Sequence, residues 1–336
     1  MMKNSTKMLF LATLIGSTLL VMSANNWMAM WMGLEINMIA FIALVSKNNN
    51  SSSSESMMLY FLIQSLGSIV LLMMILMNSM MMINSTVMLS LVKNILMISL
   101  MLKLGAAPFH SWMPEIMEKM SWLNCAILLS WQKLAPLTVM SNIMEGSNLI
   151  LIAAMMSTIT GAIGGINQTS TRKIMAFSSI SHMGWMMASM KFENEMWMLY
   201  LIVYSMITVT TSIMFNYYST YHINQIPMNY KSVMEKIMYS TMFMSLGGLP
   251  PFIGFMPKWI IIQSMMEKEL YLTITVLMLT TLITLFYYLR MISTLILLSY
   301  SINKWMIVLK KQSKVVQLML ICPNLMLPLV SIFNFL

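Results

Sequence analysis

The sequence contains no aspartate. All ten of its acids are glutamates, set against 19 lysines and arginines, and charged residues make up only 9% of its 336 positions. With 59% hydrophobic residues and a mean hydropathy of +0.78, that scarcity of charge excludes an ordinary soluble domain. Long uncharged apolar runs recur throughout, as in a polytopic membrane protein. The net charge of +9 does not indicate a nucleic-acid partner, because the cations stand singly between apolar runs and form no basic face. Cysteine is nearly absent too. Cys125 and Cys322 both fall in apolar segments and match no metal or redox spacing, which excludes a disulfide framework and an iron–sulfur site. There is no phosphate-cradling glycine loop and no Ser-His-Asp set. Gly161-Ala-Ile-Gly-Gly165 suits close helix packing instead.

Methionine is what the sequence has in excess, at 48 residues. Packing alone rarely demands so many flexible thioethers. An AT-rich mitochondrial genome that reads an isoleucine codon as methionine accounts for the bias, as does drift among apolar residues facing lipid. Met1–Ala24 has the outline of a signal peptide, with Lys3 and Lys7 before an apolar run, but with many spans behind it we expect an uncleaved first helix.

Taking about 20 residues per crossing, the chain divides into about 11 spans in an all-α membrane protein. They are Thr6–Met22, Trp27–Ser46, Met57–Met77, Thr86–Lys119, Ser121–Asn142, Leu149–Ile166, Lys173–Met190, Met196–Tyr217, Met234–Met266, Tyr271–Leu298 and Val315–Phe335. The low-complexity stretch Lys47–Ser56 is expected to be a solvated loop. Spans four and nine are overlong, and each contains Gly-x-x-Pro-Phe: Gly105 to Pro108 and Phe109, then Gly247-Gly248-Leu-Pro250-Pro251-Phe252. Glycine lowers helix propensity and proline removes a donor, so both spans should be interrupted there. A repeat of five spans is odd in number, so the second copy would cross in the opposite sense. That is an inverted repeat, with 1–142 as the first copy, 148–298 as the second and 315–336 as an additional helix. Two unrelated proline kinks are the alternative.

Loop charges set the expected orientation. One side gathers Lys3, Lys7, Lys47, Lys119, Arg172, Lys173, Lys231, Lys236, Lys304, Lys310, Lys311 and Lys314. The other keeps Lys191 and Lys268 beside Glu145, Glu193, Glu195, Glu267 and Glu269. The positive-inside rule puts the N-terminus on the matrix-like side and the C-terminus opposite.

Four ionisable residues fall inside spans: Glu35, Lys103, Lys133 and Lys258. Each costs about 2.5–3.5 kcal/mol at a helix centre facing lipid, so they should face the bundle interior, water or one another. A snorkelling end residue is the plain alternative for each, and the better reading of Lys93 and Arg290. Glu35 is the only acid deep within a span. Burial disfavours a charged carboxylate and a nearby ammonium favours it, so a glutamate and several lysines in one bundle are the ingredients of a proton relay. His110 and His182 could extend it, although a hydrogen-bonded structural histidine explains each equally well. His222 is expected to be a loop residue.

Five blocks carry a resemblance: Met30-Trp-Met-Gly-Leu-Glu-Ile-Asn37, Leu102-Lys-Leu-Gly-Ala-Ala-Pro-Phe-His-Ser-Trp112, Trp131-Gln-Lys-Leu-Ala-Pro136, Gly161-Ala-Ile-Gly-Gly-Ile-Asn-Gln-Thr169, and Leu246-Gly-Gly-Leu-Pro-Pro-Phe252 through Pro257-Lys-Trp259. In this order they resemble the antiporter-like membrane-arm subunits of mitochondrial NADH:ubiquinone oxidoreductase (complex I), in an arthropod version. The resemblance implies a proton-translocating subunit in the mitochondrial inner membrane, driven by quinone reduction elsewhere and packed against other membrane-arm subunits and lipid. By the same resemblance NADH, FMN, iron–sulfur clusters and ubiquinone bind other chains and none binds here. Glu35 and Lys103 match the family's Glu–Lys pair, Lys133 its central-axis lysine, and Lys258 the lysine of the second broken helix. Span seven has no counterpart of Glu35. A free-standing cation/proton antiporter and a non-pumping structural subunit are the rival readings.

Overall fold

The structure is a computed structural model, described here for residues 4–46, 51–80, 86–143, 149–191, 195–229 and 232–298. The expected span Val315–Phe335, Cys322 and the lysines from 304 to 314 lie outside these residues. The described chain is almost wholly helical: α1 Asn4–Ser23, α2 Trp27–Val45, α3 Ser51–Met80, α4 Thr86–Leu104, α5 Trp112–Lys119, α6 Trp122–Leu129, α7 Trp131–Ile143 and α8 Leu149–Ile166. Then follow α9 Thr171–Met190, α10 Met196–Tyr217, a 3₁₀ turn at Ile223–Gln225, α11 Ile226–Asn229, α12 Val233–Gly247, α13 Phe255–Glu267 and α14 Tyr271–Leu298. Among the described residues six helices are long and apolar enough to cross a membrane: α1, α2, α3, α8, α10 and α14. The others are interrupted or carry polar stretches.

Two compact units divide at Ser157 and Thr158. In the first, α1 packs on α2, α3 on α2, α4 and α5, and α7 on α4 and α1. An edge-to-face aromatic chain runs through it from Phe41 to Tyr60 (5.1 Å) to Trp112 (6.0 Å). In the second, α12 packs on α14 and α10, and α9 lies against α10, α13 and α14. Every α9 residue from Ser178 to Met190 is buried. A helix covered on all sides is a core element whatever its polarity, and α9 is the centre of its unit. Gly161 allows the close approach of α8 to α9, since a Cβ there would lie 2.6 Å from the Ser181 nitrogen.

Both expected interruptions are present, and they are one motif used twice. After α4 the Ala106 N–H donates to the Met101 carbonyl (3.0 Å) and the Gly105 N–H to that of Leu102 (3.3 Å), with Gly105 at φ +69°. After α12 the Leu249 N–H donates to Met244 (3.2 Å) and the Gly248 N–H to Ser245 (3.1 Å), with Gly248 at φ +76°. These are paired Schellman closures, in which glycine takes the left-handed conformation that other residues resist. Pro108, Pro250 and Pro251 follow, exposed, in the connecting turns. Glycine therefore ends each helix, and proline prevents its resumption.

Two expectations are corrected. The stretch Lys47–Ser56 is not all loop, because α3 already begins at Ser51. Its serines serve the first turns, Ser54 Oγ donating to the Ser51 carbonyl (2.7 Å) and Ser56 Oγ to that of Ser53 (2.8 Å). Glu55 there pairs with Lys119 at 2.6 Å, tying the start of α3 to the end of α5. Span five is not one helix with an internal proline but two, α6 and α7, parted at Ser130. Pro136 cannot donate to the carbonyl of residue 132, which loosens the turn before it, and Ser130 Oγ bonds back to the Ala126 carbonyl at 2.7 Å.

Candidate proton-carrying site

The first unit encloses a cavity of about 30 Å³. Its polar border is Asn37 from α2, Tyr60 and Gln64 from α3, Lys103 from α4, and Gln132 and Lys133 from α7. Leu34, Met38, Leu104, Trp112, Met113, Leu128 and Pro136 complete it. A water needs about 10–15 Å³ of such space and two or more polar partners, so there is room for about two. Lys103 is 8% exposed and Lys133 2%, which excludes snorkelling for both. The break after Leu104 allows this arrangement. It ends α4 one residue beyond Lys103, at the partly negative end of the helix, where a cation is favoured.

A hydrogen-bonded frame surrounds the two lysines. Gln132 Nε2 donates to Asn37 Oδ1 (2.9 Å), the Tyr60 hydroxyl lies 3.4 Å from Gln132 Oε1, and Gln64 Nε2 donates to the Lys103 carbonyl (3.0 Å). These four residues did not stand out in the sequence. Tyr60 and Gln64, one turn apart in an apolar span, and Gln132 beside Lys133 were the available signals.

Glu35 is half-buried on α2 and does not border the cavity. No direct ion pair joins Glu35 and Lys103 among the described residues. His110 lies in the turn after the first break, its Nδ1 3.2 Å from the Pro108 carbonyl, and is likewise not part of the border.

In the second unit Lys258 is 6% exposed and donates through Nζ to the Gly247 carbonyl at 2.9 Å. An ammonium thus meets the last carbonyls of α12, the charge arrangement a helix C-terminus favours. Gly248 makes room for it, since a Cβ there would lie 2.9 Å from both Cδ and Nζ of Lys258. His182 is buried on α9, with Nδ1 2.7 Å from the Tyr200 hydroxyl and its ring 4.9 Å from that of Tyr204. His182, Tyr200, Tyr204, Ser245, Gly254 and Pro257 are among the residues bordering a smaller cavity of about 10 Å³. Arg290, near the end of its span, caps α8: its guanidinium donates to the Ile166 carbonyl and, at 2.8 Å, to that of Gln168. His222 is a loop residue whose backbone pairs with Ser170.

Residues 24–284 match the family described as NADH:quinone oxidoreductase/Mrp antiporter, transmembrane. A locust (Locusta migratoria) protein named NADH-ubiquinone oxidoreductase chain 2 is 39% identical over 336 residues, covering 100% of this chain and 98% of the relative. The mosquito (Anopheles gambiae) protein of the same name is 41% identical over 310 residues, 91% of this chain and 90% of that one. The chain belongs to the NADH-ubiquinone oxidoreductase chain 2 family. In fold it is similar to a chain of respiratory complex I from Thermus thermophilus, with a TM-score of 0.86 at 16% identity over 98% of this chain and 78% of that one. A chain of the Mrp complex from Dietzia gives 0.77 at 15% identity, over 85% and 59%.

Proposed function

We propose that this chain is a proton-translocating subunit of the membrane arm of mitochondrial NADH:ubiquinone oxidoreductase. The observation that carries the reading is the pair of buried lysines, Lys103 and Lys133, bordering one polar cavity with room for water and, among the described residues, no carboxylate on its border. Two ammoniums sharing a small cavity repel one another, so a proton on one disfavours a proton on the other, and water between them is a path for transfer. Glu35 lies outside the cavity border and supplies the negative charge that biases Lys103. A charge change near Glu35 would shift that bias without any ligand entering. In the second unit Lys258 and His182 serve as proton-holding groups, with the C-terminal carbonyls of α12 in place of the missing acid. Spans one to five and six to ten form an inverted repeat, in keeping with the twin Gly-x-x-Pro-Phe closures.

The chain sits in the inner membrane with its N-terminus in the matrix and its C-terminus in the intermembrane space. It packs against other membrane-arm subunits and lipid. NADH, FMN, iron–sulfur clusters and ubiquinone belong to other subunits, so the chain takes part in NADH:ubiquinone reduction only by coupling it to proton movement.

The test is Lys103→Met and Lys133→Met in the assembled complex, measuring NADH:ubiquinone turnover and proton movement in sealed vesicles. Each should lower coupled turnover by about tenfold or more, since each removes a proton-holding group from the path. Full turnover and pumping in both would leave the structural-subunit reading standing.

A further inference from the structure

On α3, Tyr60, Gln64 and Gly67 stand at i, i+4 and i+7 and so form one stripe along the helix. All three meet the cavity or Lys103 itself. Gln64 is buried, and its Nε2 donates to the main-chain carbonyl of Lys103 at 3.0 Å. In an unbroken helix that carbonyl would take the N–H of Ala107, but the chain has already turned away at Gly105. One turn on from Gln64, Gly67 opens a groove for the lysine stem. A Cβ there would come within 3.1 Å of Lys103 Cγ, 3.4 Å of Leu102 Cδ2 and 3.4 Å of the Ser99 carbonyl. At the other end of the stripe the Tyr60 hydroxyl approaches Gln132, the neighbour of Lys133.

We infer that the Tyr60–Gln64–Gly67 stripe of α3 positions Lys103: Gln64 fixes its backbone at the helix end and Gly67 seats its aliphatic stem, so that the ammonium enters the cavity rather than the α3–α4 interface. Gln64 and Gly67 are positioning residues that act through Lys103. The inference rests on the proposed role of Lys103 in carrying protons. Gln64 differs from an ordinary helix cap in holding the carbonyl of a lysine whose side chain borders the cavity. Gly67 serves the same residue independently, from a different atom.

The test uses the assembled complex in inner-membrane vesicles. Gln64→Met removes the donor at similar length, Gly67→Ala fills the groove, and Gln64→His restores an N–H. Turnover is expressed per assembled complex, so that poor assembly and poor function are read apart. Gln64→Met and Gly67→Ala should each lower coupled turnover about three- to tenfold, the range expected for losing one buried hydrogen bond or displacing the lysine. Each should also displace the pH profile of turnover. Gln64→His should regain most of the rate. The titratable groups around Lys103, namely Glu35 from α2, Tyr60 from α3 and Lys133 from α7, are unchanged in Gln64→Met and Gly67→Ala, whereas Gln64→His adds an imidazole beside Lys103 and is therefore read by rate and not by pH profile. If Gln64→Met does not assemble, Gly67→Ala and Gln64→His decide the matter. Wild-type turnover and pH profile per assembled complex, whatever the yield, would mean that the stripe only packs and caps. Loss in Lys103→Met without loss in the α3 variants overturns the positioning role alone, whereas no loss in Lys103→Met overturns the proton-carrying reading beneath it.

Discussion

Lys103 and Glu35 make no direct ion pair among the described residues. If the two form a switchable pair, this geometry is its separated form. Closed, the carboxylate would hold the proton on Lys103. Open, the ammonium would rely on the helix end and on the water for which the cavity has room. If one interaction governs both residues, their substitutions must not add. Glu35→Gln and Lys103→Met should each slow coupled NADH:ubiquinone turnover, and the double variant should lose less than the product of the two factors, by an interaction of about 0.5–3 kcal/mol. Strictly multiplicative losses would separate the two residues functionally. The lysines were legible in the sequence because an isolated charge in an apolar span needs a reason, while Asn37, Tyr60, Gln64 and Gln132 were not. Neutral polar side chains are tolerated in packed helices wherever a carbonyl is near, so only the fold distinguishes a frame such as theirs from scattered local bonding. The partners of Arg290 were not legible for a related reason. Its place near the end of its span suggested the membrane surface, and only the fold shows α8 ending beside it with carbonyls to cap.

At the scale of elements, the interruptions were legible and their cause only partly so. Sequence pointed to glycine and proline together; the structure assigns the stop to Gly105 and Gly248, whose left-handed backbone closes the last turn before any proline is reached. The remaining carbonyls are then met differently, by Gln64 at Lys103 and by Lys258 at Gly247. Pro108→Ala should therefore leave α4 ending where it does, because the closure at Gly105 is intact. Gly105→Ala should strain the closure by about 1–2 kcal/mol, and a Cβ there would also crowd the Trp112 ring at 3.0 Å. A density map of the Pro108→Ala complex checks this: a helix running unbroken from Met101 to Pro114 would refute the glycine account. The α6–α7 interruption was missed because Pro136 acts on the turn before it, and nothing in Ser130-Trp131 marks that turn as the weak point.

For the whole molecule, sidedness follows from the loop charges together with the contacts inside each unit. In the first unit the start of α3 and the end of α5 are joined by Glu55 and Lys119, as helices crossing in alternate senses require. In the second, the start of α9 meets the loop after α10 through Ser170 and His222 and through the Thr171 N–H bonded to the Tyr221 carbonyl at 3.0 Å. Arg172 and Lys173 belong to that end, and Lys236 follows in the first turns of α12. The turn between α13 and α14 carries Glu267, Lys268 and Glu269, all exposed, and is the acid-bearing end. Since basic loops stay on the side that is not translocated, the α12 start should face the matrix and the α13–α14 turn the intermembrane space. Both ends of this interrupted span offer exposed positions, Met234 at 60% and Lys268 in the turn. Cysteine placed singly there, as Met234→Cys and Lys268→Cys in a Cys322→Ser background, can be probed with an impermeant maleimide, the remaining Cys125 being buried. Lys268→Cys should react in mitoplasts, where the outer face is open to reagent, and Met234→Cys only in inside-out vesicles. The reverse pattern would invert the chain in the membrane. Reaction of both from one face would mean that α12 and α13 do not cross at all, and that Lys258 sits in a hairpin rather than in the middle of a span.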